Sequence, residues 1–196
     1  MSYRVLNSIS VKNLSGRELA KDKSSLLVIL VDKTAKKNNL LVHLDKVSKG
    51  GLFGSINSLM KSKAKSLSLH SVVGVSSKEI LLMKTPEKSD TYMWLNFFKS
   101  ISKVANSLGK QDISVMFACK TLKNRDDSWM VEACCRQIEA SAYIFGSSKN
   151  KTVVKPSLKR ASIIVGSVST SSLKKLKNSA KVGFAAGEGM NAAKHL

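Results

Sequence analysis

The sequence predicts an α/β fold: one domain, built as a three-layer sandwich in which a mixed, mostly parallel sheet lies between helices. Three observations carry that reading. Short apolar runs bounded by polar residues, such as LLVILV at 26–31 and ISVMFAC at 113–119, have the length of strands. They alternate with segments whose apolar residues recur at helical spacing. Glycine and proline are scarce, at 11 and 2, and neither an internal repeat nor a Pro/Gly linker divides the 196 residues.

Taken in order, residues 3–11 alternate in part and read as a first strand. LLVILV is apolar throughout, as expected of a strand covered on both faces. Two short helical patterns follow, LLVHLDKV and LFGSINSLM, separated by Lys49, Gly50 and Gly51. Residues 66–73 and 79–83 read as two more strands joined through Gly74 in a hairpin or tight connection. The clearest helix covers about 89–108, where Trp94, Phe97, Phe98, Ile101, Val104, Ala105 and Leu108 share one face. Gly109 stands where a C-terminal cap belongs. Beyond the strand at 113–119, Asp126 and Asp127 are placed to cap a helix whose apolar positions include Val131, Cys134, Ile138, Ala142 and Phe145. Residues 147–157 are polar and lysine-rich, hence a loop. ASIIVGSV at 161–168 is the last strand, and Ser169, Thr170, Ser171 and Ser172 offer N-caps for a long helix reaching Leu196.

The chemistry is sparse. A hydrolytic metal site needs several convergent His, Asp, Glu or Cys ligands. Here His43, His70 and His195 are far apart, and Asp126-Asp127, the one acidic doublet, is better placed for capping than for metal. No nucleophile elbow, H-E-x-x-H or P-loop occurs. Cys119, Cys134 and Cys135 form no C-x-x-C pair and read as reduced, buried or half-buried thiols. The segment from Lys49 to Gly54 could cradle phosphate with its backbone N–H groups, though a plain interhelical turn is the favoured reading. Trp94, Phe97 and Phe98 read as core, not as a base-stacking platform. No catalytic residue and no metal ligand is therefore assigned.

Charge is the outlier. Thirty-three Lys and Arg against 13 Asp and Glu leave a net +20, which attracts polyanions. The lysines are spread along the chain, so a solvated surface accounts for them as well as a nucleic-acid face does. No apolar run approaches membrane-span length, and the N-terminus lacks the pattern of a secretory signal. A cytoplasmic protein that avoids membranes is expected. Near the other end Gly183, Ala185, Ala186, Gly187, Gly189, Ala192 and Ala193 supply little volume, which suits close approach of another backbone. The pattern stops at Leu196 without a capping glycine or proline, so the chain is expected to continue.

Residues 181–196, KVGFAAGEGMNAAKHL, resemble the helix that leads into the catalytic domain of leucyl (cytosol) aminopeptidases. In that family an Asn-x-Pro-Pro-Asn type segment follows, which this chain lacks. LDKVSKGGLFGSI at 44–56 is similar to the family's Leu-Asp-x-x-x-x-Gly segment. LSLHSVVGVSSKEILLMK at 67–84 resembles its Leu-Leu…Arg-Ile-Leu-Leu strand pair, and SWMVEACCRQIEASAYIF at 128–145 its aromatic-ended helix. The order and spacing of these stretches carry the resemblance over nearly the whole chain. The segment after Gly146 departs from the pattern, being short and lysine-rich.

The resemblance implies a macro-domain-like fold, with residues 1–168 as an N-terminal α/β domain and 169–196 as a long helix linking to a catalytic domain absent from this chain. It implies a non-catalytic domain of a metallopeptidase that releases N-terminal amino acids, with two divalent metals (zinc or manganese) in the full-length enzyme and none in this segment. The family's metal-binding carboxylates and catalytic lysine and arginine lie downstream, so no position here inherits them. The expected partners are the protein's own catalytic domain and the other subunits of a homo-hexamer. Some bacterial relatives also bind DNA. The alternative is thus a nucleic-acid-binding module, with a basic face drawn from Lys155, Lys159, Arg160, Lys174, Lys175 and Lys177. A third reading, a macro-like binder of ADP-ribose or another nucleotide phosphate, rests on fold analogy and the loop from Lys49 to Gly54.

Overall fold

The computed structural model describes residues 5–87, 90–142 and 156–194. Six strands form one sheet: β1 (Ser8–Asn13), β2 (Leu26–Val31), β3 (Ser66–His70), β4 (Glu79–Lys84), β5 (Asp112–Ala118) and β6 (Arg160–Val165). Their order is β1-β6-β5-β2-β4-β3. All neighbours are parallel except the edge pair β3 and β4, which is antiparallel. The helices are α1 (Gly16–Ala20), α2 (Asn39–Val47), α3 (Gly51–Lys61), α4 (Thr91–Ser107), α5 (Asp127–Ala142) and α6 (Thr170–Ala193). The expected mixed, mostly parallel sheet between helices is what the chain forms.

β2 lies at the centre, and all six of its residues are buried. Its odd and even side chains feed separate cores. Leu26, Val28 and Leu30 join Phe98, Ile101, Val115, Cys134, Ile138 and Ile163 beneath α4, α5 and α6. Leu27, Ile29 and Val31 join Leu41, Leu44, Leu52, Ile56, Ile80 and Leu82 beneath α1, α2 and α3. Each fully buried aliphatic side chain of this kind contributes roughly 1.5–3 kcal/mol. Trp94 and Phe98 are buried in the first core, their rings 5.5 Å apart, and Phe97 packs at its edge.

Several boundaries differ from the sequence expectation. β1 runs from Ser8 to Asn13, further along than 3–11, because pairing from Ser8↔Arg160 to Asn13↔Val165 sets its register. β3 ends at His70, where Ser71 turns the chain with φ 53. β6 begins one residue early and stops at Val165, before Gly166. Two short elements were not anticipated: α1, with a capping box between Ser15 and Glu18, and a single 3-10 turn at Ala35–Lys37. Ser89, Phe145, most of the 147–157 loop, His195 and Leu196 lie outside the described residues.

The glycines of α6 find their close partner inside the chain. A Cβ on Gly183 would overlap the Glu132 carbonyl of α5, and one on Gly187 would stand 2.8 Å from the Arg136 carbonyl oxygen. The two helices therefore touch backbone to backbone. Asn191 and Lys194 extend the contact with hydrogen bonds to the carbonyls of Glu139 (3.3 Å) and Ala140 (2.5 Å). Gly183→Ala is expected to cost about 1–3 kcal/mol through overpacking. Gly189→Ala, which meets open space, should instead gain up to about 1 kcal/mol of helix propensity. Urea unfolding of the two variants checks the contrast, and equal effects would remove the close contact as its cause.

Candidate functional site

The carboxyl ends of parallel strands are where open α/β sheets place ligands, since the connecting loops diverge there. Two adjoining recesses occupy that edge. One, of about 360 Å³, lies beyond β5 and β6 between the N-termini of α2 and α5, among Asn38, Phe117, Cys119, Asp127, Gly166 and Ser167. The other, of about 420 Å³, lies beyond β2, β4 and β5, with Asp32, Thr85, Glu87 and Trp94 in its wall and Lys33, Lys84, Lys120 and Lys123 around it. Thr121 lines both.

Most polar groups on this edge already have partners. Asp32 follows β2 and accepts from Thr34 N and Thr34 Oγ1, both at 2.6 Å, and from Lys120 N at 2.9 Å. It pins the loop after β5 to the loop after β2. Asn38 accepts from Leu41 N (3.1 Å), capping α2, and donates to the Phe117 carbonyl (3.1 Å). Asp126 accepts from Trp129 N at 2.9 Å and from Lys175 Nζ at 2.9 Å, joining the starts of α5 and α6. The Trp129 amide, then Lys175, holds its carboxyl below the ordinary value. These carboxylates cap and staple; none stands ready as a base.

The thiols offer no nucleophile either. Burial pushes Cys119 up to about 12, and the nearby charges of Asp32 and Asp127 add to the effect. Cys134 and Cys135 are buried in α5 and raised further by desolvation. All three are free cysteines. Among the described residues no three His, Cys, Asp or Glu side chains gather as metal ligands.

The segment from Lys49 to Gly54 is the end of the turn between α2 and α3 followed by the first turn of α3. Lys49 (φ 55) and Gly50 (φ 82) take left-handed conformations, which only glycine adopts freely. Its N–H groups are spent within the turn: Gly50 N on Asp45 O, Gly51 N on Ser48 O, and Phe53 N on Asp45 Oδ1 at 2.7 Å. A phosphate would find few donors there.

The basic residues singled out from the sequence separate into two groups. Lys159 and Arg160 sit at the start of β6, the edge opposite the crevice, where Arg160 approaches Asp112 at 4.0 Å. Lys174, Lys175 and Lys177 occupy the first turns of α6, past the other end of the same strand. All three are exposed, and Lys175 is paired with Asp126. A six-residue strand spans roughly 20 Å. Lys155 lies outside the described residues. Sequence reasoning missed the lysines around the second recess, because Lys33 comes from the loop after β2, Lys84 from the end of β4, and Lys120 and Lys123 from the loop after β5.

No family model matches the chain, and no curated protein matches it. Solved structures do. A tomato leucine aminopeptidase mutant superposes with a TM-score of 0.62 at 18% identity, over 90% of this chain and 36% of that one. An Oceanobacillus iheyensis macrodomain mutant superposes at 0.60 and 9% identity, over 92% of this chain and 95% of the other. A Trypanosoma brucei macrodomain in complex with ADP-ribose gives 0.62 and 10%, over 89% and 69%. The likeness is one of fold. The macro-like architecture is common to all three, and this chain spans about a third of the aminopeptidase. No helix among the described residues is long and apolar enough to cross a membrane.

One perturbed carboxylate lies away from this edge. Glu79, on β4, has a side chain only 5% exposed and meets Lys110 Nζ at 2.6 Å, with His70 Nδ1 at 3.9 Å. Burial pushes its carboxyl up, but Lys110, Ser68 and His70 together outweigh burial and hold it below the ordinary value. Its stabilising effect is thus complete above the unfolded value of about 4.3 and fades as pH falls through the lower folded value. Lys110→Met should cost about 2–3 kcal/mol at about pH 7 and much less at an acid pH below the lowered folded value of Glu79. Urea unfolding at the two pH values measures this, and a pH-independent loss would mean that Lys110 acts through packing alone.

Proposed function

We propose that this chain is the non-catalytic N-terminal domain of a metal-dependent leucyl aminopeptidase, serving assembly and support of a catalytic domain. The observation that carries the reading is the match of nine-tenths of the chain to 36% of an aminopeptidase, at 18% identity against 9–10% for the two macrodomains described above. The chemistry agrees. Asp32, Asn38 and Asp126 cap helices and pin loops, and burial disfavours the thiolate form of the cysteines. The outer face of α6 also leaves Val182 and Met190 at 53% and 42% exposure, apolar area suited to a further domain. Two divalent cations and the hexameric assembly would belong to the whole enzyme. Immunoprecipitation from source cells with an antibody to this chain tests the proposal. The expected product is a polypeptide longer than 196 residues that hydrolyses leucyl-4-nitroanilide and loses activity to a chelator. A product of this length without activity would overturn it.

A second reading, nucleic-acid binding, draws on the net +20 and on the exposed Lys174, Lys175 and Lys177 at the start of α6. Replacing Lys155, Lys159, Arg160, Lys174, Lys175 and Lys177 by glutamine should weaken duplex binding and flatten its salt dependence. Unchanged affinity in a mobility-shift titration would remove these residues as the interface. Nucleotide-phosphate binding has less support, since Asp32, Asn38 and the amides of the Lys49–Gly54 turn are already engaged.

A further inference from the structure

The sheet face beneath α1, α2 and α3 is only partly covered by apolar packing. Met116, Ala118 and Ile164, near the ends of β5 and β6, are packed into that core. Strand alternation puts Asp112, Ser114, Arg160 and Ser162 on the same face, one or two steps earlier. None of these four belongs to an apolar cluster. Together with β1 and the connection from α1 to β2 they bound a recess of about 350 Å³. This is the lower end of the range for small-molecule sites.

Its floor is a row of hydroxyls. Ser10, Ser162 and Ser114 are register partners across three neighbouring parallel strands, with the Ser10 and Ser162 oxygens 3.1 Å apart. On one side Lys12 Nζ meets Asp22 Oδ1 at 3.1 Å, and the Asp22 side chain is only 7% exposed. Burial pushes the Asp22 carboxyl up, but Ser24, Ser114 and Lys12 outweigh it, so the group is a carboxylate. Ser24 and Ser114 stand near this carboxyl, yet Asp22 Oδ2 and Ser114 Oγ are both buried and neither has a partner in hydrogen-bonding geometry. On another side the Arg160 guanidinium is 65% exposed and meets Asp112 Oδ1 only at 4.0 Å. Asp112 Oδ2 is occupied by Ser25 N at 3.0 Å.

These groups restrict the occupant. A bare cation is disfavoured, because Lys12 sits on Asp22 and Arg160 stands beside Asp112. A phosphate dianion would find Lys12 and Arg160 each already beside a carboxylate, leaving Lys23 as the one lining cation without a carboxylate beside it in an ion pair among the described residues. An apolar ligand would find Ile113 alone among otherwise polar lining residues. What remains needs a donor for the buried carboxylate oxygen and an acceptor for the guanidinium. We propose that this recess binds a small hydrophilic zwitterion of amino-acid size, its ammonium donating to Asp22 Oδ2 and Ser114 Oγ and its carboxylate received by Arg160. The site is separate from the crevice at the carboxyl ends of the strands and does not depend on the accessory-domain reading.

Titration of the ¹⁵N-labelled chain with glycine, followed by NMR, tests the proposal, with betaine as the comparator that keeps the charges but has no N–H. The expected result is saturable shifts at Ser10, Ser114 and Ser162 with glycine and none with betaine. Arg160→Gln, at an exposed position, should keep the thermal midpoint and weaken glycine binding at least about tenfold. Ser114→Ala, which removes an unpartnered hydroxyl, should keep the fold and weaken binding as well. No saturable shift up to about 50 mM glycine, or an equal response to betaine, would overturn the assignment.

Discussion

The backbone-to-backbone contact of α5 with α6 is the constraint on which the rest of this fold depends. Gly183 and Gly187 let the last helix approach so closely that the Glu132 and Arg136 carbonyls fill the space a side chain would occupy. Glu139, fully buried on α5, then becomes the junction of three segments. It accepts Val5 N at 2.7 Å and Leu6 N at 3.0 Å, and it lies within reach of Asn191 at 3.4 Å. A buried carboxylate without such donors would be costly. Here it ties the entry to β1, the last turn of α5 and the end of α6 into one unit.

That closure has consequences at the crevice. With α5 and α6 locked together, their N-termini are held side by side and Asp126 bridges them through Trp129 N and Lys175. The loops after β2 and β5 are joined in the same way by Asp32, and the start of α2 is tied to β5 by Asn38. The edge of the sheet where a ligand would be expected is thus stiffened by the same side chains that would otherwise recognise it. Mixed-sign charge persists instead on the face around Ser10, Ser162 and Ser114, where the Ser114 hydroxyl has no partner.

Much of the fold was legible in the sequence because periodicity reports burial. LLVILV is apolar throughout, and β2 is buried throughout. The stripe of Trp94, Phe98, Ile101 and Ala105 faces the core of α4, and Ser169 caps α6 by accepting from Ser172 N. The misses have equally physical causes. α1 has five residues, too few to establish a period, although Ser15 and Glu18 carry the S-x-x-E capping signal. The limits of β1 were misjudged because pairing with β6, 152 residues along the chain, decides which residues are strand. The serine row was invisible for the same reason: Ser10, Ser114 and Ser162 share nothing local.

By itself the sequence determined the class of fold and the identity of most elements. These follow from composition and from patterns a few residues long, which act through local backbone preference and burial. Only the tertiary structure decided that Gly183 and Gly187 of α6 face α5, and that Asp32, Asn38 and Asp126 are spent on loops and caps. It also divided the proposed basic face, with Lys159 and Arg160 at one end of β6 and Lys174, Lys175 and Lys177 beyond the other. The physical reason is that hydrogen bonds and charge clusters depend on distance in space. Parallel pairing brings together residues that the chain separates by a hundred positions or more, and it parts others that the chain places side by side.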